Sequence, residues 1–283
     1  MKPTRVLLPI NAKGTTSACA DVAFGLARRF EAELEVLHPC PPPSQRLPYA
    51  TELSPIYFEA YLDVSRKQVA YEEKEAVAWF EKASADRGEV EAQLLTVEGL
   101  VGPAVAQRAK TADLSVLPTV SAAADEMFAE ARDAALFSSG RPALFVPDEA
   151  GGHVGETVVI AWKDSVESAR AVAAAAPFLE GARRVRLISL VAEGEPEDET
   201  AAAMANYLTG VPSGRVEGGS ARRARRRRCD PRGSRCRRAA RHGRLWPLAL
   251  AGMDLWRRDG SRSSEHRCGR PDVPLGLVRP STG

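Results

Sequence analysis

The residues that offer the most chemistry crowd into the last quarter of the chain. Ser220 to Gly283 holds 18 Arg, no Lys and 5 acidic residues, a balance of +13 inside a net charge of only +2 for all 283 residues. The run from Arg222 to Arg244 would bind RNA, DNA or acidic surfaces by counterion release, with little sequence preference. No aromatic residue interleaves before Trp246, so base stacking is poorly provided for. Cys236, Cys268, His242 and His266 have spacings that fit no closed tetrahedral zinc pattern. In the rest of the chain, His38 ends an apolar run just before prolines and reads as a loop residue near a strand edge. Ser17 and Cys19 have no histidine close in sequence to activate them, so a nucleophile is unsupported. Glu72, Glu73, Lys74 and Glu75 read as a solvated helix face.

Lysine is absent beside those eighteen arginines, whereas a selected nucleic-acid tail normally mixes the two. A displaced reading frame in GC-rich DNA accounts for it, because GCN and GAC codons read out of phase generate CGN arginine codons. Trp246 is TGG and Pro247 begins with C, so the frame one nucleotide later reads glycine. Trp256 followed by Arg257 gives a second glycine, with nine residues between the two, and Met253 followed by Asp254 gives a tryptophan.

The elements that would position any site are plainer. Arg5 to Ile10 is a short apolar run suited to a buried parallel strand. Ser17 caps a helix to Phe30. Strands follow at Leu34 to Leu37, Ala92 to Val97, Leu114 to Leu117 and Ala143 to Val146. They are separated by helices over Ile56 to Lys82, from Pro103 to Lys110, and over Asp125 to Phe137. In the long helix Tyr61, Val64, Val69, Ala76 and Phe80 are the expected core contacts. His38-Pro-Cys-Pro-Pro-Pro43 is expected to stop regular structure.

After Gly151-Gly152 the pattern restarts. Val158 to Trp162 is a strand, Ser165 to Ala176 a helix closed by Pro177, Val185 to Leu190 a strand, and Glu195 to Leu208 a helix. Beyond about Val216 the repeat stops, which leaves the second sheet with two strands and partly uncovered apolar faces. Alternating strands and helices imply a doubly wound parallel sheet with right-handed crossovers. Three segments result: 1–150, 155–217, and an Arg-rich irregular tail over 218–283 without a packed core.

The apolar run Val6 to Ile10 is too short for a signal core or membrane span, and a cytoplasmic location follows as the expectation. Five cysteines without a C-x2-C pair give no disulfide framework.

The ordered set Val6 to Asn11, Leu34 to His38, Asp113 to Leu117, Arg141 to Pro147 and Val159 to Ser165 resembles the universal stress protein family. The offset-frame glycine spacing is similar to its phosphate signature, G-x2-G-x9-G followed by a small hydroxyl residue. The resemblance implies a five-stranded parallel α/β sheet, in a tandem member whose C-terminal portion is out of frame. It implies stress-response regulation or nucleotide sensing without catalytic turnover. Protein partners or self-association through a sheet edge, and no membrane, go with it.

Some members of the family bind ATP at the carboxyl ends of the strands. ATP is the cofactor implied for the in-frame parent, and none for the chain as written. The family's pattern then falls on Asn11, where an aspartate is usual, and on Pro118 and Ser121, where loop glycines belong. Its Gly-Ser or Gly-Thr pair falls near Ala129 and Glu130. In the second segment Ala161, Trp162, Lys163 and Ser165 would line one side of a nucleotide site. The other readings are an ATP-binding or ATP-hydrolysing enzyme on a related α/β fold, and a nonspecific nucleic-acid binder acting through the tail.

Overall fold

The computed structural model describes residues 2–46, 55–119, 126–150, 154–191, 199–211 and 215–222. Ser121, the Arg223 to Arg244 part of the basic run and the frame-displaced stretch lie outside the described residues. The chain divides into two compact units, the second beginning at Gly155.

In the first unit the order is β1 (Arg5–Pro9), α1 (Ser17–Phe30), β2 (Glu33–Cys40), α2 (Pro55–Arg87), β3 (Ala92–Glu98), α3 (Val101–Ala109), β4 (Leu114–Pro118), α4 (Glu126–Ser138) and β5 (Ala143–Val146). The five strands form one parallel sheet in the order β3-β2-β1-β4-β5. Burial on both faces explains the apolar run from Val6 in β1 and the burial of every residue of β4, Ser115 included. One face packs α3 and α4 through Val101, Val105, Ala109, Ala131 and Ala135 onto Leu7, Leu37 and Leu117.

Local chemistry sets the ends of the elements. The Thr16 hydroxyl, and not the expected Ser17, accepts from the Cys19 amide and starts α1, and Glu31 ends it in the left-handed region at φ 50°. Asp113 Oδ2 accepts from the Thr4 amide at 2.8 Å, the Thr4 hydroxyl at 2.8 Å and the Arg5 amide at 3.2 Å, which bolts the start of β1 to the start of β4.

β2 runs three residues beyond its expected end. Leu34 donates toward the β3 side, to Glu91, while the Leu37 carbonyl accepts from Ile10 on the β1 side. Pro39 therefore turns its missing donor toward β1, which has already ended at the pair Pro9–Leu37, so no ladder bond is lost. His38 is consequently a buried strand residue and not a loop residue.

Two expectations on α2 also need correction. Val64 is 66% exposed, because at 100° per residue it lies about 120° round the helix from fully buried Ala76. Glu72 is half-buried and paired, whereas Glu73, Lys74 and Glu75 are exposed.

The second unit contains β6 (Thr157–Trp162), α5 (Val166–Ala174), α6 (Ala176–Leu179), β7 (Arg184–Val191), α7 (Glu199–Thr209) and β8 (Arg215–Arg222). Its parallel sheet has the order β6-β7-β8, so it keeps three strands where two were expected. The third pairs with β7 over its whole length, from Arg184–Arg215 to Val191–Arg222. Ladder bonds come from the backbone, so Gly218, Gly219 and Arg222 can extend a strand that their side chains do not advertise. Pro177 opens α6 and does not close α5, since a first-turn position needs no amide donor. Val158, Ile160, Trp162, Val185 and Leu187 are buried on one face of this sheet, and Thr157 and Ala161 are exposed on the other.

Candidate nucleotide-site positions

In the first sheet the connections leave β1 in opposite directions, to β2 on one side and eventually to β4 on the other. Doubly wound sheets take ligands in the crevice outside such a switch point. The loops there are Asn11–Gly14 after β1 and the residues after Pro118.

The β1 loop is closed on itself. Asn11 and Gly14 exchange backbone hydrogen bonds of 3.0 and 2.9 Å, and the Lys13 amide donates to Asn11 Oδ1 at 2.8 Å. Gly14 takes φ 89°, a conformation that favours glycine. A Cβ built on it would collide with the indole of Trp79, which α2 lays over the loop. Across the switch point, Pro118 has no amide proton, and the Thr119 amide donates to the Val146 carbonyl at 2.7 Å. Among the described residues of these loops an anion would meet few unengaged donors.

Glu130 turns to a neighbouring helix. Its Oε1 accepts from the Gly102 amide at 2.8 Å, in the first turn of α3, where Leu100 supplies no side-chain cap.

A polar group gathers at the end of β2. Arg46 forks onto Glu72 at 2.9 and 2.7 Å, donates to the Pro41 carbonyl at 2.9 Å, and has its own carbonyl bound by the Tyr61 hydroxyl at 2.6 Å. Burial pushes the Glu72 carboxyl up, but hydrogen bonds from Arg46 and Gln68 outweigh it and hold the group below its ordinary value. His38 is 3% exposed and its Nδ1 has no hydrogen-bond partner among the described residues. Burial lowers its pKa, with Glu72 and Glu73 opposing and Arg46 assisting. Burial pushes the Cys19 thiol up to about 12, which leaves it protonated and inert at neutral pH. Among the described residues no group of three or more His, Cys, Asp or Glu is placed to hold a metal.

In the second unit, Ala161 is exposed on one face of β6 while Trp162 is buried on the other. Trp162 Nε1 donates to Thr200 Oγ1 of α7 at 3.0 Å. Lys163 and Asp164 are exposed, and Ser165 caps α5 by accepting from the Ser168 amide at 3.2 Å. The alternation of β6 thus separates Ala161 from Trp162, and the cap engages Ser165.

No family model matches the sequence, and no curated protein matches it. Solved structures do. The chain is similar to the crystal structure of a universal stress protein from Archaeoglobus fulgidus, at 15% identity over 79% of this chain and 80% of that one, with a TM-score of 0.53. The fold is that of the universal stress proteins. It is also similar to the universal stress protein UspA from Lactobacillus plantarum, at 14% identity over 52% of this chain and 99% of that one, TM-score 0.40. A further match is a universal stress protein in complex with cAMP, at 17% identity over 53% of this chain and 100% of that one, TM-score 0.32.

The positions to which the sequence resemblance pointed hold Asn11 in a closed turn, Pro118 without an amide donor and Glu130 engaged with α3. Trp79 and Gly14 were not singled out by sequence reasoning. Their only signal was position, since Trp79 lies three residues after Ala76 and so shares its face. Among the described residues no helix is long and apolar enough to cross a membrane.

Proposed function

We propose that this chain is a universal stress protein acting as a regulatory module in a stress response, without catalytic turnover. Unit 1 takes no ATP in the phosphate-loop manner of the family and serves as a structural or partner-binding module. The observation that supports this is that the donors among the described residues of the switch point are already engaged. Asn11, Lys13 and Gly14 spend their amides inside one turn, Thr119 spends its amide on Val146, and Pro118 has none. A triphosphate needs several convergent N–H groups and positive charge, and the adjacent α4 instead brings the carboxylate of Glu130. Nucleotide sensing belongs to the in-frame parent, at the end of β6 around Ala161, Trp162, Lys163 and Ser165.

Calorimetry with Mg-ATP on the full chain tests the first part. No saturable binding tighter than about 1 mM is expected. Tighter binding that disappeared on Asn11→Ala would overturn the reading of unit 1.

A further inference from the structure

In the second sheet both crossovers step the same way, from β6 to β7 to β8, so right-handed connections put α5, α6 and α7 on one face. That face is the one of Leu187, Gly218 and Trp162. A Cβ on Gly218 would come 3.9 Å from Ala205 of α7, and Trp162 reaches Thr200. The alternate residues point the other way. On that second face Thr157, Ala161 and Arg184 are exposed, and Val159, Arg186 and Ile188 are half-buried. Register puts Val159 beside Arg186 and Ala161 beside Ile188, so a small apolar strip runs up the sheet from two arginines. Glu217 stands 3.7 Å from Arg184 and 3.9 Å from Arg186, and offsets one of their two charges.

Unit 1 shows what covers the matching face. There Leu7 pairs with Glu35 as Val159 pairs with Arg186 in unit 2. The helix on that face is α3. Its Val105 and Ala109 pack with Leu7 and Leu37, and its Arg108 comes within 3.8 Å of buried Glu35. Unit 2 carries the opposite sign at the position of Glu35, so a helix seated there has to bring an acid where α3 brings Arg108. We propose that this face of the second sheet docks an amphipathic helix of a partner protein. Small or aliphatic side chains of that helix lie on Val159, Ala161 and Ile188, and one carboxylate reaches Arg186. The side chain of Arg186 is 24% exposed, so a carboxylate seated over it is shielded from water and bound more firmly than at an open surface. A second copy presenting the same face would set arginines against arginines. The described side chains of this face include no aromatic for base stacking.

The test uses the full chain and two dye-labelled synthetic helices of about 20 residues, long enough to be helical in water. Both carry Leu and Ala along one face, and they differ there at one position, Glu in one and Arg in the other. Fluorescence anisotropy should show the acidic helix binding saturably, about tenfold tighter than the basic one. Arg186→Glu should reverse that preference. Should Arg186→Glu not fold, Arg186→Gln carries the comparison and should bind both helices alike. Hydroxyl-radical footprinting should label Val159 and Ile188 in the free chain and find them protected in the complex. Equal affinity of the two helices for the wild type, or no binding of either, overturns the proposal. So does a free chain in which Val159 and Ile188 resist labelling, because another part of the chain then occupies the face. A dimer in sedimentation that Arg186→Glu disperses puts a second copy there and overturns it as well. The closed loops of unit 1 take no part in any of these outcomes.

Discussion

Glu130 Oε1 lies 2.8 Å from the Gly102 amide nitrogen, so a carboxylate from α4 caps the first turn of α3. The helix has no cap of its own and carries Pro103 one residue later, which leaves few donors to satisfy. Glu130→Ala should cost about 0.5–1 kcal/mol, the range of a lost helix cap. Denaturant melts measure the cost, and faster hydrogen exchange at Gly102 locates it. Unchanged exchange there would refute the role.

Arg46 and Glu72 join the segment after β2 to α2. Glu72 titrates below its ordinary value in the folded chain, so its contribution is fully present above the unfolded value of 4.5 and is lost as pH falls through the lower folded value. Arg46→Ala should cost about 1–2 kcal/mol at neutral pH, and less once the carboxyl is protonated. Melts of the variant and wild type should therefore converge in acid.

His38 gives a second pH dependence, in a higher window. Its folded pKa lies below the ordinary 6.5, so the unfolded chain takes up the proton first. Stability is full above 6.5 and falls as pH drops toward the folded value. His38→Leu should flatten the melting temperature between about pH 7 and pH 5. An unaltered slope would place the titration elsewhere.

Trp162 and Thr200 tie β6 to α7. Thr200→Val leaves the indole N–H of Trp162 without this acceptor in a site that is 8% exposed. The expected loss is about 1–2 kcal/mol. Trp162→Phe removes the donor as well, so the double variant should cost less than the sum of the singles. Strict additivity would show that the bond contributes nothing.

A displaced frame requires a base lost or gained near codons 217 to 221, and sequencing of the DNA should show a restored frame that reads through the glycine signature. Stop codons in that alternative frame would make the arginine run a selected element. Salt-sensitive nucleic-acid binding would then need to be tested as its job.

What was legible in the sequence follows from how each element is held. α1 was found with its end at Phe30 because it carries a stripe of buried apolar residues from Ala20 to Phe30, but its cap was placed one residue late, at Ser17 in place of Thr16. β5 was bounded correctly by its apolar run and the proline after it. α2 was found as a helix, but its inward side was misread. Its most buried residues are Ser65, Ala76 and Ala83, small side chains that leave only a weak apolar period, so Val64 looked inward and Trp79 went unnoticed. β8 was missed because its two glycines and flanking arginines lack strand chemistry, and its ladder with β7 asks for none. The nucleotide positions could be named from the resemblance. The closed turn at Asn11 could not, since it depends on hydrogen bonds that no residue type announces.

The central place of β1 sets a schedule for synthesis. Val6 pairs with Leu114, so β1 leaves the ribosome with one flank open until more than a hundred further residues have followed. At ordinary elongation rates that wait lasts about 5–20 seconds. The β-α-β unit of β1, α1 and β2 can form early, but the sheet closes around β1 only when β4 arrives. A nascent chain held in that interval exposes a flat apolar strand, which is the species a chaperone would meet.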